Sequence, residues 1–274
     1  MTKHRKLEAI PYTTVSTFIG KESEGTQAET WKVALRGKPN SINAYVKFSL
    51  NHRQTIAELV CSQIGRALGL NISKSYLVYI DTDNLPEHVI SSSLYASRGK
   101  MLAFASSSPD PEAMSFERLI HMDNNKANEM FELWKELENV IAFDEWIANP
   151  DRTDCNYLYT PQDNDFWLID HGSALTGDYM PNWALNNPQV ETHNALYESI
   201  AHQNNLTQKH ELKEKAAKLM ERANTIDFSE IDSDGYHQMI DPKVNNDDIA
   251  NFLKTRIDHS VELLCQKMGI PQLV

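Results

Sequence analysis

Asn149-Pro150-Asp151-Arg152-Thr153-Asp154-Cys155-Asn156, followed by Trp167-Leu168-Ile169-Asp170-His171-Gly172, is the densest concentration of polar chemistry in the chain. Between the two stretches lie the apolar runs Tyr157–Tyr159 and Phe166–Ile169, separated by the turn-forming segment Thr160–Asp165. That pattern predicts a small hairpin, with the first stretch as the loop that enters it and Asp170 as the residue that leaves it. Asp151, Asn156 and Asp170 then converge at the hairpin's mouth and can offer oxygen ligands to one hard cation. Magnesium suits such a site, since it needs few carboxylates, keeps waters and accepts phosphate oxygens as its remaining ligands. Asp and Asn are common in turns, so either stretch alone carries less weight than the two together.

Upstream of the loop, Asn128 to Ala148 carries Phe131, Trp134, Leu137, Val140, Ile141 and Ile147 at helical spacing and stops at Asn149-Pro150, which predicts one long helix delivering the chain to the loop. Further upstream, β-branched and aromatic residues in Thr13–Ile19, Glu29–Leu35 and Ile42–Phe48, punctuated by Gly20–Gly25 and Gly37–Asn40, predict three antiparallel strands. Ile56, Leu59, Val60, Ile64, Ala67 and Leu68 then form a helical stripe, with Gly69 where a left-handed C-terminal cap belongs. Tyr76–Ile80, Val89–Ile90 and Lys100–Ala105 return to strand character before the break at Ser106–Pro111. From about His193 the chain reads as mostly helical, with Glu211–Asn224 and Asp247–Met268 the clearest segments. The lobe boundary is placed at the break, dividing the chain into 1–105 and 106–274.

Two charged residues of the first part bear on the same chemistry. Lys47 ends a strand whose neighbours are apolar, and Glu58 lies eleven residues later in the first helix. An Asp-x-x-x-x-Asn loop followed by Asp-x-Gly, preceded in the chain by a strand lysine and a helix glutamate, is the order of parts in phosphoryl-transfer kinases, where the lysine grips the α/β-phosphates and pairs with the glutamate. Gly20-Lys21-Glu22-Ser23-Glu24-Gly25-Thr26-Gln27 lacks the lysine and hydroxyl of a Walker loop. It is either a solvent-exposed hairpin turn or a loop laying the N–H groups around Gly20 and Gly25 over phosphates. Met101, Phe104 and Ala105 are expected on a connecting segment that faces adenine.

The sequence resembles the HipA-like kinases, a bacterial branch of the kinase fold related to the phosphatidylinositol kinases. The resemblance rests on Tyr45-Val46-Lys47-Phe48, on Glu58 followed by Gly65-Arg66-Ala67-Leu68-Gly69-Leu70, on Asn149 to Asn156 and on Leu168-Ile169-Asp170-His171-Gly172. It spans about residues 12–175 and leaves the C-terminal hundred unmatched. It implies an α+β, bilobal protein-kinase-like fold, with a small antiparallel-sheet N-lobe and a helical C-lobe that bind ATP between them. By that similarity Lys47 is the phosphate lysine, Glu58 its partner, Asp151 the catalytic aspartate, and Asn156 and Asp170 the magnesium ligands. The implied activity is transfer of phosphate to a Ser/Thr hydroxyl of a protein, often in a toxin–antitoxin module with an antitoxin partner. Such kinases are often silenced by autophosphorylation in the glycine-rich loop, here at Ser23 or Thr26. The chain departs from its relatives at Thr153, where His is common after Asp-Arg, and in the shortage of glycine in that loop. A nucleotide-binding pseudokinase and a kinase for a small molecule or lipid headgroup are the alternatives.

Composition narrows the partners. With 274 residues, 41% of them apolar, the chain can bury a substantial core. Lys+Arg 26 against Asp+Glu 38 leaves −12, which repels a phosphate backbone and argues against nucleic acid. No run of 18 apolar residues suggests a membrane span. Three cysteines without a CxxC pair fit a reducing cytoplasm better than a disulfide framework. Asp232-Ser233-Asp234-Gly235 suggests a calcium loop, but its glycine falls at position four instead of six and Lys243 stands where the twelfth-position Glu belongs.

Overall fold

The computed structural model describes residues 5–22, 29–48, 50–92, 96–97, 99–175 and 185–271. Gly25, Ser23 and Thr26, and with them the centre of the expected glycine-rich loop, lie outside the described residues. The fold is α+β.

The first strands are β1 (Tyr12–Lys21), β2 (Thr30–Leu35) and β3 (Ile42–Lys47), paired antiparallel as expected. Helix α1 (His52–Ala67) follows, then β4 (Ser75–Asp81), α2 (Glu87–Ser92), β5 (Ala96–Ser97) and β6 (Lys100–Ser107). The sheet differs from a simple antiparallel one in two ways. Because α1 carries the chain across between β3 and β4, β4 lies parallel to β1, with Tyr12 opposite Leu77. Pairing of β3 with both β2 and β6 then closes the order β3-β2-β1-β4-β6 into a barrel. Strand alternation explains the closure. Val33, Leu35, Ala44, Val46, Tyr76, Val78, Ile80, Met101, Ala103 and Ala105 share one buried interior cluster, and the alanines leave room for the larger residues opposite. Leu77, Leu102 and Phe104 point the other way and join the core that contains α1.

Val89–Ile90 is helical rather than extended, because Pro86 presets the first turn of α2 and its carbonyl accepts from the amides of Val89 and Ile90. Helix α1 has an Asn51/Gln54 capping box and ends before Gly69 at φ +82°. Every residue from Thr55 to Gly65 is buried, so this helix is a core element on all sides. Gly65 is required there: a Cβ would lie 2.2 Å from Ile72 Cδ1 and 2.9 Å from Phe143 Cζ.

After β7 (Met114–Ser115) come α3 (Phe116–Met122), α4 (Asn124–Glu132) and α5 (Leu137–Trp146). The single helix expected over 128–148 is thus two. The chain turns between them to set Trp134 among Phe131, Tyr157 and Phe166, with ring centroids 4.8–5.9 Å away, and this aromatic packing outweighs the helical spacing. The expected hairpin is present as β8 (Tyr157–Thr160) and β9 (Asp165–Leu168), with β7 on its outer side. Helices α6 (Ala195–Ile200), α7 (Leu206–Ala223), α8 (Tyr236–Ile240) and α9 (Asn246–Met268) complete the chain, and α5, α7 and α9 pack on one another. No described helix is long and apolar enough to cross a membrane.

Candidate active site

Strand alternation sends Val46 into the barrel and Lys47 out of it, toward α1 and the exit of β9. Lys47 Nζ lies 2.7 Å from Glu58 Oε1 and 3.0 Å from Asp170 Oδ2. The other Glu58 oxygen, Oε2, accepts the His171 amide at 2.9 Å. One buried carboxylate therefore ties the barrel strand that carries Lys47 to the turn that carries Asp170. Asp170 sits at φ +58°.

The charges reinforce this geometry. Burial alone favours a neutral Lys47, but the Asp170 and Glu58 carboxylates outweigh it and raise the lysine's pKa, so Lys47 is an ammonium. Burial pushes Glu58 up, yet the Lys47 charge and the contacts to His171 hold it well below the ordinary carboxylate range. Burial, followed by the Arg152 guanidinium, lowers the pKa of His171, which is neutral.

The loop before the hairpin is fixed from beneath. Asp144 on α5 and Arg152 form a two-pronged pair, Nε to Oδ2 and Nη2 to Oδ1, each at 3.0 Å, and both side chains are 0% exposed. Asn149 Nδ2 donates to the same Asp144 Oδ1 at 2.8 Å, and Asn149 Oδ1 accepts from the Asp151 amide. Arg152 Nη1 donates to the carbonyls of Asn156 at 2.7 Å and Ile169 at 2.5 Å. A single guanidinium thereby joins Asn156 to the residue before Asp170. Arg152 lies within the loop quoted from the sequence, whereas Asp144 lies outside it. The available signal was an acid pair, Asp144-Glu145, inside the apolar run from Val140 to Trp146.

Asn156 donates its Nδ2 to the Asp151 carbonyl, which leaves Oδ1 as its acceptor oxygen, and the Asp170 side chain is 44% exposed. Two hard oxygen donors from opposite sides of the hairpin fit a divalent ion that keeps waters and phosphate oxygens as its other ligands. Among the described residues no group of three or more His, Cys, Asp or Glu side chains could hold a metal alone. A magnesium–phosphate site does not need one.

Lys47, Glu58 and Asp170 are brought into direct contact, while Asp151 and Asn156 are tied to them through Arg152 and the loop backbone. Of the residues expected near adenine, Phe104 pairs with Lys47 across β3 and β6 and lies on the same side of the barrel wall. Met101 and Ala105 do not belong with them. Their segment is the middle of β6 rather than a connector, and alternation turns both into the barrel interior, where they are 1% and 0% exposed. The connection out of the barrel begins only after Ser107. Gly20 is an exposed residue near the end of β1, opposite Lys32.

A family model described as HipA-like kinase matches residues 39–260. Among solved structures, the crystal structure of a Helicobacter pylori proinflammatory kinase, CtkA, is similar over 95% of this chain and 100% of its own, with 17% identity and a TM-score of 0.50. HipA of Shewanella oneidensis MR-1, solved with HipB and operator DNA as a toxin–antitoxin system, is similar over 92% of this chain and 66% of its own, with 12% identity and a TM-score of 0.41. At these identities the likeness to CtkA speaks to the fold. No curated protein matches the chain in sequence.

Proposed function

The chain belongs to the HipA-like kinase family, and from that premise we propose that it transfers the γ-phosphoryl group of ATP to a Ser/Thr hydroxyl of a protein, itself included. The observation that carries this reading is Lys47 Nζ held between Glu58 and Asp170 at 2.7 and 3.0 Å. A lysine so placed neutralises phosphate charge without being consumed in a reaction. Nucleotide would lie between the barrel lobe, whose last strand β6 runs past the expected boundary at 105 to Ser107, and the helical lobe that follows, beside Lys47 and Phe104.

Asn156 and Asp170 would hold magnesium, whose contribution when bound is to neutralise and orient the phosphates. Asp151 would accept the proton of the acceptor hydroxyl as its oxygen bonds to the γ-phosphorus and the bond to the β-phosphate oxygen breaks, releasing ADP. Asp144 and Arg152 contribute by holding the loop still, since in-line transfer depends on positioning and charge more than on covalent chemistry. The proposed setting is the cytoplasm, with an antitoxin partner carried over from the family resemblance. Recovery of such a partner by co-purification from the native cell is the expected result.

Radiolabel transfer from ATP tests the reading. Asp151→Ala should abolish transfer and leave nucleotide affinity nearly intact, whereas Asp170→Ala should weaken magnesium–nucleotide binding. Comparable transfer by wild type and Asp151→Ala would remove Asp151 from the role assigned to it.

A further inference from the structure

Helix α1 meets Lys47 through Glu58, and something must set its rotation. Gln63 follows Glu58 by five residues, so it lies about 7.5 Å farther along the axis and about 140° around it. On that far side Gln63 Oε1 accepts from the Tyr236 hydroxyl at 2.7 Å, and Gln63 Nε2 donates to the Glu8 carbonyl at 2.8 Å. Gln63 is 4% exposed and Tyr236 0%. A Leu–Phe pair would fill similar space without the cost of burying an amide and a phenol. The polar pair adds direction: it ties this side of α1 to Tyr236 and to the N-terminal segment.

Tyr236 is itself framed. Asp232, at φ +60°, accepts the His237 amide at Oδ1 (2.8 Å) and Asn246 Nδ2 at Oδ2 (2.9 Å), and Asn246 Oδ1 accepts from His237 Nδ1. The Asp232-Ser233-Asp234-Gly235 segment that fails as a calcium loop is thus the turn that aims Tyr236 at α1. The N-terminal segment supplying the Glu8 carbonyl is tied to the same region, since the Leu7 amide donates to Glu230 Oε2 at 2.8 Å and the Asp227 amide to the Arg5 carbonyl at 3.1 Å.

We propose that Tyr236 is a positioning residue of the phosphoryl-transfer site: through Gln63 it holds α1 in the rotation that keeps Glu58 on Lys47. This rests on the kinase reading above and gives the C-terminal segment a task within it. A misplacement of about 1 Å at a reacting group can cost about a hundredfold in rate, so a modest loosening of α1 is enough to register.

Tyr236→Phe in the full chain removes only the hydroxyl. Loss of one buried hydrogen bond should speed amide exchange in 52–67 by roughly five- to tenfold, with β8–β9 unchanged. The rate of transfer should fall by a similar factor in the wild-type background, and by no more than about twofold when Glu58→Gln is already present. Ser260→Ala, which deletes a buried hydrogen bond inside α9, should leave α1 exchange and transfer alone. Unchanged exchange and transfer in Tyr236→Phe overturn the proposal, as does an equal loss of transfer in the Glu58→Gln background. Gln63→Met deletes the acceptor instead of the donor and decides the matter should Tyr236→Phe fail to fold. If the wild type transfers no phosphate, the kinase reading falls, while the exchange measurement still decides whether Tyr236 holds α1.

Discussion

Replacing Asp144 by Asn tests the strut beneath the loop. The substitution keeps the side chain's shape and removes its charge, leaving the Arg152 guanidinium at 0% exposure without a counterion and three donors, Arg152 Nε, Arg152 Nη2 and Asn149 Nδ2, facing a single carbonyl. Breaking one side of a fully buried pair costs about 3–5 kcal/mol. For a chain of this size each kcal/mol lowers Tm by about 2–4 °C, so thermal denaturation should show a fall of roughly 6–20 °C. Activity should suffer even well below the variant's Tm, because Arg152 Nη1 also holds the carbonyls of Asn156 and Ile169. The double variant Asp144→Leu/Arg152→Met separates the two effects. An apolar pair removes the unpaired buried charge and should recover part of the stability, short of wild type because Asn149 Nδ2 loses its acceptor and the Ile169 carbonyl its donor, and transfer should stay lost. A Tm within about 2 °C of wild type for Asp144→Asn, or full transfer by the double variant, would refute the strut.

Gly65→Ala gains about 1 kcal/mol of helix propensity but drives a Cβ toward Ile72 and the fully buried Phe143 ring. Overpacking of that kind costs about 1–3 kcal/mol, so urea denaturation should show a net change between about zero and 2 kcal/mol of destabilisation, and a raised midpoint contradicts the packing argument. Burial, then the hydrogen bond to Glu117 at 3.1 Å, pushes the Cys155 thiol up to about 11. Its alkylation at pH 8 should be about 100-fold slower than that of an ordinary thiol of pKa about 9, and Glu117→Gln should speed it; rapid labelling of the wild type contradicts this. Glu58, held below its ordinary value of 4.5, stabilises the folded state fully above that pH and progressively less as pH falls through the lowered value. The stability gap between wild type and Glu58→Gln should therefore be flat from about pH 8 to 5 and narrow in more acid solution, and a gap that persists unchanged to pH 2 contradicts the pairing.

Local pattern determined much of this protein. The first three strands, the capped helix through Glu58, the hairpin and the two long C-terminal helices follow from the spacing of apolar residues and from turn chemistry, which act over a few residues. The grouping of Lys47 with Glu58 and Asp170 was also expected from the residue types that phosphate chemistry needs, and the three meet in the structure. Tertiary structure decided the rest. The parallel placement of β1 beside β4 and the closure of β3 on β6 depend on pairings between distant segments, and that closure turns Met101 and Ala105 inward. The break at Trp134 exists because an aromatic cluster assembled from three elements outweighs helical spacing. Asp144 and Tyr236 acquire their tasks from partners 8 and 173 residues away in the chain. A buried polar group is determined by whichever donor or acceptor reaches it in the folded state, since leaving it unpaired away from water is what costs free energy.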